Sequence, residues 1–372
     1  MKYIFIFIVI VHALIHALGF LKEWKVIRVE KLQEVSISFL PGRTVGTIWF
    51  FAFAVLLISA VAYYFGKSWW WLPAAFGAVV SQVLIIFYWK DAKWGTIANI
   101  IILAVVIVSY ARARFDTAVK LEVEEMYTMS APNTKPDIIS ESMLKDLPSP
   151  VQRWLSSSGI VGKPRVRAIR LKQKGLMRSA PGRDKWFSIQ AEQYFDVDPP
   201  GFIWKANMKM MPLVAIDARD KYVNGKGEMK VTAFSVIPVA NSNGTAVDQG
   251  ALQRYLAEIC WFPSAALSTY IQWQAIDETS AKATLTYKGV SGTGVFRFDD
   301  RGDITSFSAD RYMSTGKTAS LEKWVVKNLE YGEFAGIRIP VKSEATWKLK
   351  DGDFTWLKLE IIGIDYNNNR MY

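Results

Sequence analysis

Residues 3–20 read YIFIFIVIVHALIHALGF, eighteen residues that carry no formal charge when both histidines are neutral. A helix needs about 20 apolar residues to cross a hydrocarbon layer of about 30 Å, and about 17 are enough for a short span. Three further runs of this kind follow at Val45–Phe65, Trp69–Trp89 and Thr96–Tyr110. Because backbone groups in lipid must satisfy one another, such runs form helices. The sequence therefore predicts a four-helix transmembrane bundle over residues 1–112.

The chain of 372 residues is apolar and basic: 51% of its residues are hydrophobic, 21% are charged and the net charge is +11. This composition excludes a disordered or fibrous protein. Residues 1–115 contribute +7 of the charge, so the excess of Lys and Arg surrounds the apolar runs. Basic residues beside apolar runs fit a membrane surface better than a nucleic-acid groove. We therefore expect a lipid bilayer as a partner and no nucleic acid.

The distribution of Lys and Arg among the loops predicts the orientation of the bundle. The loops after the first and third runs together hold seven of these residues, whereas the second loop and the two termini hold five. Loops rich in Lys and Arg stay in the cytoplasm. The sequence thus predicts a multi-pass protein of the inner (plasma) membrane, with the chain beyond residue 112 on the periplasmic or extracytoplasmic side.

Four polar side chains interrupt the apolar runs: His12, His16, Gln82 and Asn99. The two histidines are four residues apart and share one helix face. Counting from the ends of the runs, His16, Gln82 and Asn99 lie within about 6 Å of one depth. Either they form a site for a proton, an ion or a small polar ligand, or they hydrogen-bond neighbouring helices at about 0.6 kcal/mol per pair. No accompanying ligands favour a metal or haem site.

Beyond a predicted helical extension and linker at residues 113–146, the periodicity becomes that of β-strands. In residues 202–210, Phe, Trp, Ala and Met alternate with Ile, Lys and Asn. Alternation over about ten segments, separated by turns such as Asp299–Asp303, predicts one strongly curved antiparallel sheet. A helical stretch at Gly250–Ile271, broken near its proline, interrupts the strands. We expect an α+β domain over residues 147–372 in which a half-barrel-like sheet packs on a helix.

Four apolar residues of this domain are candidates for binding a ligand: Trp204, Met208, Met210 and Trp261. They supply a broad apolar surface, and methionine adapts to irregular apolar ligands. The same residue types also form ordinary hydrophobic cores. The sequence leaves both interpretations open.

Arg254 and Glu258 are a further candidate pair, because residues four apart on a helix share a face and can form an ion pair. The pair lies either at the mouth of a cavity, beside Trp261, or where the helix docks on the sheet. Both positions are compatible with the sequence.

The residues outside the first apolar run exclude several kinds of chemistry. Both histidines lie in that run, so residues 21–372 contain no Ser-His-Asp or Cys-His machinery and no ordinary His-based zinc site. Cys260 is the only cysteine. We therefore expect no metal, no cofactor and no catalytic residues. A carboxylate-based hydrolase is kept as a third hypothesis for the function of the protein.

Several motifs in both halves of the chain resemble those of an uncharacterised bacterial family, known only as a domain of unknown function. In the membrane part, Ser81-Gln82 and Trp89–Thr96 look like the corresponding segments of such proteins from the Bacteroidetes. In the β-rich part the matching residues are Leu147-Pro148, Val151, Arg153, Trp154, Gly159, Pro164, Pro200–Phe202, Trp204, Tyr222, Gly225, Gly227, Arg254–Glu258, Trp261, Pro263, Trp273, Ile276-Asp277, Gly336, Ile339-Pro340, Trp347 and Asp351-Gly352. The resemblance implies an acidic residue after Gly250, where this chain has Ala251.

The resemblance brings no established activity, so the function remains a choice between hypotheses. A curved sheet with one helix is similar, by fold alone, to the half-barrels of lipoprotein-sorting proteins. Our first hypothesis is a non-enzymatic, membrane-anchored domain that binds an apolar or amphipathic envelope ligand, a lipid or a lipoprotein. The alternative is a structural or signalling module that recruits an envelope protein partner through an exposed apolar patch.

Overall fold

The computed structural model describes residues 2–27, 40–130, 137–211, 214–315 and 318–372. The chain divides into two compact units, Met1–Arg114 and Phe115–Tyr372. The first unit is helical and the second is dominated by one β-sheet.

Apolar helices make up the first unit, and their bounds are α1 (Lys2–Glu23), α2 (Gly42–Tyr64), α3 (Trp71–Phe87), the single turn α4 (Trp89–Ala92) and α5 (Gly95–Thr128). By length and composition, three of them (α1, α2 and α5) could each cross a membrane. Residues 28–39, half of the predicted loop between the first two spans, lie outside the described residues.

Three of the four predicted runs lie in helices of membrane-spanning length, and the third run forms a shorter apolar helix. The run Trp69–Trp89 carries no formal charge, but α3 holds only 17 of its residues. The helix ends because Tyr88 leaves helical backbone angles, with φ −101° and ψ 33°. Conversely, the shortest predicted run, Thr96–Tyr110, lies in the longest helix, the 34-residue α5. Apolar content alone therefore misjudged where these helices end.

Small residues fill the contacts between the helices of the first unit. Ala13, Ala52, Ala74 and Ala78 are completely buried. A Cβ atom added to Gly19 would lie 2.5 Å from the Trp49 ring, so this contact requires glycine. Close packing of small residues is how apolar helices associate where the hydrophobic effect is absent.

The second unit contains thirteen antiparallel strands rather than the predicted ten or so. Their bounds are β1 (Ala168–Met177), β2 (Phe187–Val197), β3 (Pro200–Met211), β4 (Val214–Val223), β5 (Lys226–Ala233), β6 (Ile237–Asn243), β7 (Ile271–Asp277), β8 (Ser280–Tyr287), β9 (Val290–Phe298), β10 (Ile304–Thr315), β11 (Thr318–Phe334), β12 (Ile337–Leu349) and β13 (Gly352–Tyr366). The prediction missed strands such as β11, where Trp324, Val325 and Val326 are consecutive and register shifts follow, so that no clean alternation shows.

The sheet consists of two meanders, β1–β6 and β7–β13, and it is curled into a half-barrel. Pairing of β1 with β13 joins the meanders, so β6 and β7 are the two edge strands. The predicted turn at Asp299–Asp303 is confirmed between β9 and β10. There the Asp299 carboxylate accepts the backbone N–H groups of Arg301 and Asp303 at 3.0 and 2.9 Å.

One face of the sheet, which we call the core face, packs against helix α7 (Thr245–Glu258). This helix is shorter than the predicted Gly250–Ile271, because 3-10 turns follow it and β7 begins at Ile271. A further helix, α6 (Ser149–Ser157), contributes Trp154 to the same core. The predicted architecture, a curved sheet packed on a helix, is thereby confirmed.

The other face of the sheet, the outer face, is partly covered by the C-terminal part of α5. Val119, Val123 and Met126 of this helix pack on Tyr194 and Ile203 of the sheet. The predicted division at residue 112 thus falls inside one continuous helix. Residues 115–128 of α5 belong to the β-rich unit.

Candidate functional site

The polar side chains of the helical unit form a hydrogen-bonded cluster. The ring nitrogen Nε2 of His12 lies 2.8 Å from Oδ1 of Asn99 and 3.0 Å from Oγ of Ser81. The Asn99 amide donates to Oγ of Ser81 and to Oε1 of Gln82, both at 3.0 Å. Nδ1 of His16 faces the backbone carbonyl of His12 at 2.8 Å. The structure therefore brings His12, Gln82 and Asn99 together with Ser81, whereas His16 bonds to the backbone of its own helix.

These contacts assign the protons of both imidazoles. Because the Asn99 Oδ1 atom and the His12 carbonyl are acceptors, Nε2 of His12 and Nδ1 of His16 must donate. The other ring nitrogens, Nδ1 of His12 and Nε2 of His16, are buried and have no hydrogen-bond partner among the described residues. The cluster links α1, α3 and α5, which supports the reading of interhelical bonding.

The second predicted group lies between α7 and the core face of the sheet. Nε of Arg254 donates to Glu258 at 2.8 Å, and its Nη1 donates to Asp220 at 2.5 Å. Glu258 also accepts the Gln193 amide at 2.7 Å. The guanidinium lies 5.0 Å from the centroid of the Trp204 ring, a cation–π contact.

Burial and charge act in opposite directions in this network. Burial disfavours the charged form of Arg254, but the carboxylates of Glu258 and Asp220 outweigh it and raise the pKa of Arg254. Burial raises the pKa of Glu258 above its ordinary value, although Arg254 opposes the shift. Because each charge already has a partner, the geometry favours docking of α7 over binding of a ligand by this pair.

The four residues predicted to form an apolar binding surface occupy two kinds of position: two are buried in the core and two are half-buried. Trp204 and Trp261 belong to the hydrophobic core, with only 7% and 5% of their surface exposed. Met208 is half-buried and packs against that core, and Met210 is half-buried further along β3. The two tryptophans therefore stabilise the fold and present little surface to a ligand.

A cleft of about 460 Å³ lies at the outer face of the sheet. Six strands, β3, β2, β1, β13, β12 and β11, contribute to it, and the lining residues are Lys174, Gly175, Leu176, Ser188, Ile189, Gln190, Asn207, Lys209, Leu329, Lys342, Ser343, Glu344, Lys358, Leu359 and Glu360. None of these residues was singled out from the sequence. They come from segments up to 186 positions apart along the chain, as from Lys174 to Glu360, and only the strand register joins them.

Lysines dominate the polar part of the cleft. Lys174 pairs with Glu360 and Lys358 pairs with Glu344, each at 3.0 Å. Lys342 and Lys209 add two more positive charges to the lining. Lys342 is paired outside the cleft lining, with Glu330 at 2.8 Å, whereas Lys209 takes part in no ion pair within the described part of the chain. The cleft therefore combines the apolar surface of leucine side chains with more ammonium groups than carboxylates.

Asp196 is a buried carboxyl at the end of β2. It accepts hydrogen bonds from the Ser130 hydroxyl and from the backbone N–H of Asp198. Burial nevertheless raises the pKa of Asp196 to about 6. The folded protein thus holds this proton more tightly than the unfolded chain, in which the ordinary value is 3.8.

Replacing Asp196 by asparagine is expected to flatten the pH dependence of stability. A carboxyl whose pKa is raised on folding adds stability that is fully present below pH 3.8 and is lost as the pH rises through about 6. The slope in this window is at most about 1.4 kcal/mol per pH unit. Urea midpoints measured across the window would show it in the parent and in the exposed control Asp184→Asn, and not in Asp196→Asn. An unchanged slope in Asp196→Asn contradicts the assignment.

Metal ligation has no support among the residues that the structure describes. No group of three or more His, Cys, Asp or Glu side chains in those ranges is placed to hold an ion. The candidate sites are therefore the bundle cluster and the cleft.

The β-rich part of the chain matches a known family. That family is described as "Family of unknown function (DUF6544)", and the match covers residues 137–359, more than half of the chain. The chain belongs to this family. The resemblance drawn from the sequence motifs is thereby confirmed. A search of curated proteins finds no match.

Among solved structures, this DUF6544 protein is similar to the crystal structure of a LolA superfamily protein from Nitrosomonas europaea. The two chains share 9% sequence identity with a TM-score of 0.28, over 62% of this chain and 95% of that chain.

One charged residue of this DUF6544 protein was missed in the sequence. Arg311 lies on β10, and its Nε donates to the backbone carbonyl of Gly250 at 2.9 Å. Its guanidinium is 4.8 Å from the centroid of the Trp324 ring. Burial lowers the pKa of Arg311 to about 10. Ala251, where the resemblance implied an acidic residue, directly follows the carbonyl group that Arg311 contacts. The sequence alone does not show this proximity, because it depends on the strand register.

Proposed function

We propose that this protein is a membrane-anchored, non-enzymatic binding protein. Its β-rich unit takes an apolar or amphipathic envelope ligand, a lipid or the lipid part of a lipoprotein, in the cleft on the outer face. The observation that carries the proposal is the cleft itself, in which leucine side chains lie among four lysines.

Size and lining both support this assignment. Sites for small ligands enclose about 300–1,000 Å³ and are mostly apolar with a few polar groups. The volume of about 460 Å³ falls within that range. Leu176, Leu329 and the methylene stems of the lysines offer apolar contact, and the ammonium groups offer partners for an acidic head group. An amphipathic ligand with a negative head satisfies both.

The helices support a location at a membrane. Three of them are long and apolar enough to cross one. From the distribution of Lys and Arg, we place the protein in the inner membrane as a multi-pass protein, with the β-rich unit on the extracytoplasmic side. A ligand of the envelope is then within reach of the cleft.

Ion pairing in the cleft supports binding rather than hydrolysis. A carboxylate-based hydrolase needs two acids aimed at the scissile bond. Glu344 and Glu360 are the carboxylates of the lining, and each is held by a lysine at 3.0 Å. Neither is a free acid directed at a substrate.

Leu176→Asp is expected to weaken binding of an anionic amphipath roughly tenfold, because a buried leucine contact contributes about 1.5–3 kcal/mol. The probe is 11-(dansylamino)undecanoic acid, titrated into the full chain in nanodiscs and followed by dansyl fluorescence above an empty-disc blank. Leu329→Asp provides a second variant at the other side of the cleft.

The matched control is Leu321→Asp, an exposed leucine that does not line the cleft. It is expected to bind the probe as the parent does. Equal affinity in Leu176→Asp, Leu329→Asp and the control, or no saturable binding by the parent, would remove the cleft as the site.

A further inference from the structure

We propose that the helical unit holds one anionic phospholipid of the surrounding bilayer in a groove between α2 and α3. The groove belongs to the first unit of the chain and shares no residue with the cleft of the β-rich unit. Binding of a lipid there therefore does not depend on the ligand proposed for the cleft.

The groove has a volume of about 540 Å³ and is apolar over its inner part. Ile48 of α2 and Val80 of α3 are half-buried against the core between the helices, so they form its floor. Phe51 of α2 and Phe76 of α3 flank it, and their rings meet edge to face with centroids 5.7 Å apart. This contact closes the groove toward the middle of the two helices.

The opposite end of the groove is polar. Arg43 and Thr44 of the lining lie in the first turn of α2, and Thr47 follows one turn later. Arg43 and Phe51 are eight residues apart, which corresponds to about 12 Å along a helix. A phospholipid has the same order of groups, a charged head and then acyl chains. Its head would lie at Arg43, and one acyl chain would reach Phe51.

Arg43 and Thr44 have free donors for such a head group. Within the described residues, the Arg43 guanidinium takes part in no ion pair or hydrogen bond, and the Thr44 hydroxyl in no hydrogen bond. Glu23 lies beside the beginning of α2, since a Cβ on Gly42 would be 3.4 Å from its carboxylate, but that carboxylate accepts the Tyr88 hydroxyl at 3.0 Å. A phosphate supplies the negative charge and the acceptor oxygens that an arginine binds best.

Aromatic and basic residues mark this end of the bundle as the level of the lipid head groups. Nε1 of Trp24 donates to the backbone carbonyl of Arg43 at 3.2 Å, and the Lys22 ammonium group lies 5.9 Å from the centroid of the Tyr88 ring. Trp and Tyr concentrate at membrane–water interfaces. Lys22, Lys25 and Arg43 give this end three positive charges. Basic pockets between membrane helices bind anionic head groups.

The lining suits an acyl chain better than a further helix of a protein partner. Helices associate in membranes through small residues that let their backbones approach closely. Two exposed phenylalanines flank this groove instead, and they would hold another backbone away. A single acyl chain has no side chains and fits between them.

The test measures lipid binding to the full chain in detergent by native mass spectrometry. All proteins carry Leu176→Asp, so that lipid in the cleft contributes less to the count. Phosphatidylglycerol and phosphatidylcholine with identical acyl chains are titrated separately. We expect this parent to bind its first phosphatidylglycerol about fivefold more tightly than phosphatidylcholine, and Arg43→Gln to lose the preference.

Two matched controls separate the groove from general attraction of lipid to the bundle. Lys25→Gln removes a positive charge at the same end but outside the lining, and the preference is expected to remain. Thr47→Trp fills the groove without changing the charge and is expected to weaken phosphatidylglycerol binding, whereas Val83→Trp, at an exposed position of α3 outside the lining, is not. Thr47→Trp also serves as the test if Arg43→Gln does not fold.

Three results would each overturn the proposal. The first is equal affinity of the parent for the two lipids. The second is a loss of preference in Lys25→Gln as large as that in Arg43→Gln. The third is equal binding of phosphatidylglycerol by the two tryptophan variants.

Discussion

Replacing Arg254 by methionine is expected to lower the free energy of unfolding by about 3–5 kcal/mol, the usual cost of removing one partner from a buried ion pair. Arg254 is bonded to Glu258 and Asp220, and all three side chains are at most 16% exposed. The variant leaves two carboxylates in the core without their cation. The loss would be measured as a shift of the urea transition of the full chain in detergent.

Two comparisons separate this effect from the loss of an arginine as such. Arg153→Met removes an exposed pair with Glu278 at 3.9 Å, and a change below about 1 kcal/mol is expected there. Adding Glu258→Gln to Arg254→Met removes one of the stranded charges and is expected to restore part of the stability. If Arg254→Met were no more harmful than Arg153→Met, the network would not hold α7 on the sheet.

Trp154→Ala is expected to be of similar severity, at about 3–5 kcal/mol, because the substitution leaves a large cavity. The side chain is fully buried, and its ring lies 6.3 Å from the ring of Phe296 and 6.2 Å from that of Phe298. A Cβ on Gly302 would lie 2.8 Å from the backbone of Arg153, so α6 also packs directly on the turn between β9 and β10.

The expected result for Trp154→Ala is an unfolding transition at lower urea concentration with an unchanged native far-UV spectrum. Trp154→Phe keeps most of the ring volume and is expected to lose less. Leu321→Ala, at an exposed position of β11, is expected to change stability by less than about 0.5 kcal/mol. A Trp154→Ala protein as stable as Leu321→Ala would show that α6 is dispensable for the core.

Local pattern predicted much of the architecture. The apolar runs predicted the helices of the first unit, and the alternation at residues 202–210 predicted a strand that the structure confirms within β3. The extent of the helices was harder, because α3 and α5 differ in length for reasons of backbone geometry and packing that hydropathy does not contain. Strand β11 was missed because its apolar residues are consecutive, and pairing with β10 and β12 decides its conformation.

The candidate sites, too, could be predicted only in part from the sequence. Counting residues placed His16, Gln82 and Asn99 at one depth, but the histidine that contacts Asn99 is His12, one helical turn away, which only the packing of the helices decides. The choice of Trp204 and Trp261 as ligand residues used residue type alone, and type does not tell a core from a pocket. The lysine cleft carries no motif at all.

The sequence by itself determined that this chain has membrane-length helices, a curved antiparallel sheet with a helix against one face, and one depth of polar residues among the apolar helices. These features depend on periodicity and on distances of a few residues, which the chain encodes locally. Only the tertiary structure decided which lysines share a cleft and that Arg254 lies between the carboxylates of Glu258 and Asp220. Each of these depends on strand register, in which a shift of one residue moves every side chain to the other face.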